Sequence, residues 1–200
     1  MRWVPANVLF CCLVLLSLGR AQAPSNSALR PTPLEAFSGE PNTRVSWSSE
    51  VGRIDSKEAH AVITVVIVED TAQPPDRMRG IRVDLSKGDR RDVVYLGEET
   101  LPAYRDALDE ISREAARERS ANNVRENLTP DGTAYVGACI FRYADGSPRV
   151  HALSAAYYFA PDSFGMAVNS FRNVEFRFPD RDPSQLSVAI SLAIDQLKNR

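Results

Sequence analysis

The feature that most restricts the fold of this 200-residue chain is the run His-Ala-Val-Ile-Thr-Val-Val-Ile-Val at residues 60–68. Most of its members are β-branched, and such side chains favour extended backbone. A short, nearly continuous apolar run is typical of a strand that is covered on both faces. We therefore predict a central strand here, and the other elements must cover it.

A hairpin and a helix follow this strand. Ile81, Val83 and Leu85 alternate with polar residues, which predicts a strand with one wet face, and residues 93–96 return after a turn at 86–89. Apolar residues then recur at helical spacing of three and four. They are Leu101, Tyr104, Leu108, Ile111 and Ala115.

The second half of the chain repeats this order. Residues 133–143 and 149–159 flank a turn with Asp-Gly at its centre, which predicts a hairpin, and 164–168 and 174–178 give one or two further strands. Asp182 before Pro183 begins a last helix. We predict that this helix is largely buried through Leu186, Ala189, Ile190, Ala193, Ile194 and Leu197, with Val188 and Leu192 widening the stripe.

This order predicts an α+β fold: an antiparallel sheet of about six strands with two helices packed on one face. The halves suggest a βββα pseudo-repeat, although no residue-level match joins them. Residues 58–200 form the single predicted domain. Residues 24–57, rich in Pro, Ser and Asn, are predicted to be a flexible tether that could hold a short edge strand around Val45, Trp47 and Val51.

The predicted hairpin has two unlike faces. Pairing Tyr143 with Arg149 gathers aromatic side chains on one face and small side chains, such as Ser154 and Ala156, on the other. We assign the small face to helix packing, and a slip of one residue would exchange the two roles. The aromatic face is either a second core layer or the floor of a groove, and in the second case it is the predicted binding surface. It comprises Tyr135, Phe141, Tyr143, His151, Tyr157 and Phe159.

Residues 1–23 are typical of a secretory signal peptide. Arg2 precedes an apolar run at 8–18 that is too short to span a membrane, and a small-residue stretch follows. Cleavage after Ala23 or after Ala21 fits equally. We therefore expect an exported, periplasmic or extracellular protein with no transmembrane segment in the mature chain.

Removal of this leader leaves Cys139 as the sole cysteine, because Cys11 and Cys12 lie inside the apolar run. That position also argues against lipidation of either one. No intrachain disulfide can form, which favours a bacterial periplasm or cell exterior over a disulfide-rich secretome. An N-glycosylation pattern at Asn127-Leu128-Thr129 argues against this bacterial interpretation, but three residues are a weak signal and Pro130 follows them.

Charge excludes one class of partner. The mature chain carries a net charge of -4, from 22 Lys+Arg against 26 Asp+Glu once Arg2 and Arg20 are removed. It therefore lacks the positive field of a nucleic-acid-binding protein. The cations of the first hairpin could contact an anionic envelope polymer or a lipid headgroup, but they are interleaved with aspartates, which favours a solvated surface of mixed charge. These cations are Arg77, Arg79, Arg82, Lys87, Arg90 and Arg91.

Catalytic signatures are missing from the sequence. It contains no Cys-x-x-Cys, no His-x-x-x-His, no glycine-rich phosphate loop and no Gly-x-Ser-x-Gly, so we predict neither a metal nor a cofactor. Cys139 and His151 are diagonal neighbours in the predicted hairpin and are the catalytic candidates. A lone cysteine among small residues is more often a buried apolar residue.

We therefore predict an exported, non-enzymatic domain that binds a partner protein or a small envelope ligand through its sheet face. The alternative is a thiol-dependent hydrolase or transferase that uses Cys139 and His151. The ligand and the oligomeric state stay open.

Overall fold

A computed structural model describes residues 30–73, 76–121, 132–140, 153–170 and 174–200. Its first half contains α1 (Pro33–Ser38), β1 (Thr43–Asp55), β2 (His60–Asp70), β3 (Arg77–Lys87), β4 (Arg90–Gly97), a short 3-10 helix (Glu98–Thr100) and α2 (Leu101–Ala121). The second half contains β5 (Ala134–Ile140), β6 (Ser154–Phe159), β7 (Phe164–Asn169), β8 (Glu175–Pro179) and α3 (Pro183–Lys198). The predicted α+β class is confirmed.

The described strands form two antiparallel sheets of four strands each, in the orders β1-β2-β3-β4 and β5-β6-β7-β8. The prediction of one sheet of about six strands is therefore wrong in this detail. The first sheet ends where β4 runs into α2, and β5 begins a new sheet instead of joining β4. In the described residues, each half consequently has four strands followed by a long helix, one strand more than the predicted βββα unit.

The two long helices pack against each other, and each contacts the sheet of the other half. α3 mainly contacts β1, β2 and β3 and has a smaller contact with β6 of its own half, whereas α2 contacts β5 and β6. One buried cluster joins both sheets and both helices, so the halves share a core. This exchange replaces the predicted arrangement of two helices on one face of a single sheet.

The segment predicted to be a tether contains regular structure in its described part. Thr32 caps α1 by accepting a hydrogen bond from the Glu35 backbone N–H at 3.0 Å. Leu34, 0% exposed, packs against Val66 and Val68 on the face of β2 that points away from the main core. β1 is an edge strand as anticipated, but it extends over 13 residues. The sequence hides α1 and the full length of β1, because one buried leucine and a polar edge strand give little periodic signal.

β2 is confirmed as an interior strand. Ala61, Ile63 and Val65 face the main core, while Val66 and Val68 lie under α1. The apolar run is therefore covered on both faces only in its C-terminal half, where α1 packs over the second face. The 81–96 hairpin and the apolar face of α2 are also confirmed.

The register of the second hairpin differs from the predicted one. Tyr135 pairs with Tyr158 and Val136 with Tyr157, and a register shift follows before Cys139 pairs with Ala155. Tyr135 and Tyr157 therefore lie on opposite faces, because neighbouring side chains alternate. The β6 side chains that reach the main core are Ala155, Tyr157 and Phe159.

The assignment of the small-residue face to helix packing is thus wrong. Ser154 and Ala156 are half-buried and point away from the core, while the aromatic side faces the helices. A slip of one residue is sufficient to cause this exchange, since strand side chains repeat every second position.

Candidate functional site

The structure separates the residues of the predicted binding surface. Tyr157 is 1% exposed and belongs to the core, Phe159 is half-buried beside it, and Tyr135 lies on the other face of the sheet. Phe141, Tyr143 and His151 lie outside the described residues. Cys139 is described only through its backbone in β5, so the Cys139–His151 dyad stays a prediction.

Tyr157 has the environment of a structural residue. The Arg119 guanidinium carbon lies 4.7 Å from its ring centroid, and the Phe159 ring lies 5.0 Å from it. Burial raises the pKa of the Tyr157 phenol to about 12, against a smaller opposing effect of Arg119. The phenol therefore stays protonated at neutral pH and cannot serve as a base or nucleophile.

A second group of residues, which we call the tyrosine-arginine cluster, lies on the face of the second sheet away from the core. It comprises Tyr135, Tyr158, Glu175 and Arg177. The Tyr135 hydroxyl lies 3.0 and 3.1 Å from the two Glu175 carboxylate oxygens, and Arg177 donates to that hydroxyl at 3.0 Å. Arg177 also donates to Glu175 at 2.6 Å, and its guanidinium carbon lies 5.3 Å from the Tyr158 ring centroid.

The members of the tyrosine-arginine cluster bind one another. Burial and the hydrogen bond to Glu175 raise the pKa of Tyr135, and the same carboxylate raises the pKa of Arg177. A protonated phenol and a paired guanidinium provide neither base nor nucleophile near neutral pH. The tyrosine-arginine cluster therefore links strand β5 to strand β8, and it gives no indication of catalysis.

The cationic hairpin is partly neutralised. Arg79 pairs with Glu98 at 2.8 Å, Lys87 pairs with Glu58 at 3.0 Å, and Arg82 pairs with Asp84. Arg79 also donates to the Leu197 carbonyl at 3.1 Å, so it caps the end of α3. These contacts favour the interpretation of a solvated surface of mixed charge over an anion-binding site.

The strongest candidate site is a groove of about 450 Å³ between β1 and α3, which we call the edge groove. It is lined by Val51, Gly52, Arg53, Ile54, Asp55, Arg181, Gln185, Val188, Ala189 and Leu192. Strand and helix approach closely at its floor: a Cβ placed on Gly52 would lie 2.6 Å from the Ala189 Cβ. Glycine is required there because of this approach.

Two apolar side chains of α3 stand in the edge groove. Val188 is 59% exposed and Leu192 is 49% exposed, although the sequence predicts them as part of a buried stripe. The stripe of α3 is wider than the face that the first sheet can cover, so its margin reaches solvent. That excess width is the sequence signal that could have identified this surface.

Polar groups surround the apolar pair. Arg53 pairs with Glu50 at 3.1 Å, and Asp55 contacts His60 at 2.8 Å. Arg181 donates through Nε to the Asp55 carbonyl at 2.8 Å, and no carboxylate partner for it occurs among the described residues. An apolar floor with a few placed polar groups is the usual composition of a binding site.

Several classes of site find no support in the described ranges. No group of three or more His, Cys, Asp or Glu side chains there could hold a metal ion. No helix in the described part of the chain is both long and apolar enough to cross a membrane. Comparison of the chain with protein-family models, curated proteins and solved structures finds no match.

Proposed function

We propose that this chain is an exported, soluble, non-enzymatic domain that binds a partner protein through the edge groove. The predicted signal peptide supports export, and the missing catalytic motifs favour binding over catalysis. The proposal moves the contact surface from the aromatic face of the second sheet to the junction of β1 and α3.

The observation that carries the proposal is the exposure of Val188 and Leu192 beside an edge strand. Single exposed apolar residues are ordinary on protein surfaces, but here two neighbours on one helix face line a concave site. Burying such side chains contributes about 25 cal/mol for each Å² removed from water. A partner that covers both would therefore gain affinity at the place where the domain has not covered its own apolar surface.

Site-directed photo-crosslinking in the native envelope tests this proposal. A photoreactive amino acid at Val188 should give a discrete crosslinked product, which Leu192→Asp should abolish without changing the melting temperature. The matched control places the same amino acid at Ala103, which is exposed on α2. Equal crosslinking at Val188 and Ala103, or a product that survives Leu192→Asp, would contradict the proposal.

Export has its own test. Mass spectrometry of the native protein should find an N-terminus at Gln22 or Pro24. Recovery of intact Met1–Arg200 from the cytosol would contradict export.

The thiol-enzyme alternative makes the opposite prediction for Cys139. Under our proposal, Cys139→Ser leaves the cellular phenotype unchanged at equal abundance and melting temperature. Loss of the phenotype with normal abundance and stability would favour the enzyme.

A further inference from the structure

We infer that the occupant of the edge groove is an extended peptide segment of the partner, added as a strand along β1. Its apolar side chains would contact Val188 and Leu192, and a carboxylate would lie beside Arg181. The inference rests on the proposed function and specifies the chemistry of the partner.

The first step is the position of β1 in the sheet. β1 pairs with β2 along its length, and the described residues contain no strand on its other side. Such an edge leaves backbone N–H and C=O groups that an incoming strand can pair with. Bulges between Val45 and Trp47 and between Glu50 and Gly52 divide this edge, so the stretch from Gly52 to Asp55 is the regular part beside the groove. Within it, the Asp55 carbonyl is already bonded to Arg181.

The second step is the direction of α3. Arg181 contacts the Asp55 carbonyl, Ala189 lies against Gly52, and the Arg200 guanidinium carbon lies 4.6 Å from the Trp47 ring centroid. Residue numbers along α3 therefore increase in the direction in which residue numbers along β1 decrease. The helix therefore runs beside the strand in the opposite direction, and the edge groove is parallel to both.

The third step is the spacing of the apolar contacts. Val188 and Leu192 are one turn apart, which is about 6 Å along a helix axis. Alternate side chains of a strand are about 6.6 Å apart and point to the same face. Two alternate residues of an added strand can therefore contact Val188 and Leu192.

The fourth step is charge. Arg53 and Glu50 neutralise each other on β1, whereas Arg181 lies at the Asp55 end of the groove without a carboxylate partner in the described ranges. An incoming carboxylate at that end would complete a charge-assisted hydrogen bond. An acidic terminus is therefore favoured over a basic one.

Fluorescence anisotropy with three labelled peptides tests the inference. Each peptide has the core Val-Thr-Val-Thr-Val between two identical end residues, which are Asp, Asn or Lys, so either strand direction presents the same end to Arg181. We expect the Asp peptide to bind about two- to fivefold more tightly than the Asn peptide, the range of an exposed ion pair. The Lys peptide should bind least tightly.

Variants of the full mature chain separate the two contacts. Arg181→Glu should reverse the order of affinity of the Asp and Lys peptides. Arg117→Glu, which makes the same charge change at an exposed position of α2, should leave that order unchanged. Leu192→Asp should weaken all three peptides at least tenfold. Unchanged circular dichroism melting curves establish that each variant is folded.

Three results would overturn the inference: no binding of any peptide, equal affinities of the Asp and Lys peptides, or concentration-dependent dimerisation that Leu192→Asp abolishes. The last result would assign the groove to a second copy of the chain. If the Val188 crosslink persists while the peptides fail, the proposed function survives and only the strand chemistry is wrong. If the crosslink also fails, the proposed function fails.

Discussion

Replacing Ile190 by alanine should destabilise the protein by about 2 to 5 kcal/mol. Ile190 is 0% exposed and belongs to the cluster that joins both sheets and both helices. The substitution removes three buried carbons, and at about 0.8 kcal/mol for each the lost transfer free energy is roughly 2.4 kcal/mol. The residual cavity adds to this loss, because the surrounding core relaxes only partly.

Urea unfolding of the purified protein measures this loss, since the free energy of unfolding falls linearly with denaturant concentration. Val188→Ala, two residues earlier on the same helix, is the matched control and should change the free energy by less than about 0.5 kcal/mol, because Val188 faces solvent. Equal and small changes at Ile190 and Val188 would refute the reasoning. They would mean that α3 does not close the core against the first sheet.

Three further predictions concern contacts made by α3 or by its N-cap. Gly52→Ala should destabilise the protein by about 1 to 3 kcal/mol, because the new methyl group would lie 2.6 Å from the Ala189 Cβ, and adding Ala189→Gly should recover part of this loss in urea unfolding. Ser187→Ala should cost about 0.5 to 1.5 kcal/mol, because the buried Ser187 hydroxyl donates to Asp109 of α2; no change would show that this bond is dispensable. Burial opposes ionisation of Asp182, but hydrogen bonds to its carboxylate, chiefly from the Ser184 backbone N–H, lower its pKa overall. This lowering stabilises the fold above the unfolded pKa of about 3.9, and the stabilisation disappears as the pH falls through the folded value. Melting temperatures in acid should therefore fall less steeply for Asp182→Asn than for the natural chain, and identical slopes would contradict this assignment.

Local patterns in the sequence predict most helices and strands of this fold. The core face of α2, the 81–96 hairpin and the Asp182 cap of α3 all follow from the spacing of apolar residues or from capping chemistry, both of which act within a few residues. Ser187 shows the limit of such reasoning. It is a polar residue outside the apolar stripe of α3, yet it is buried because α2 packs there.

The candidate site was much less predictable. Val188 and Leu192 are visible in the sequence only as the margin of a wide apolar stripe, and whether that margin is buried depends on where β1 ends the first sheet. Arg181 gains its role from its contact with Asp55, which is 126 positions away in the chain. A contact between such distant residues leaves no local pattern.

The sequence alone determined which side chains share a face of each strong helix and strand, because backbone geometry fixes side-chain direction every 3.6 or 2 residues. The tertiary structure decided what each face meets. It placed β5 in a second sheet and packed each long helix against the sheet of the opposite half. It also shifted the pairing of β5 with β6 by one residue from the predicted register, with Tyr157 in the core. These outcomes depend on which distant surfaces together remove the most apolar area from water, and that free energy belongs to the assembled chain and to none of its segments.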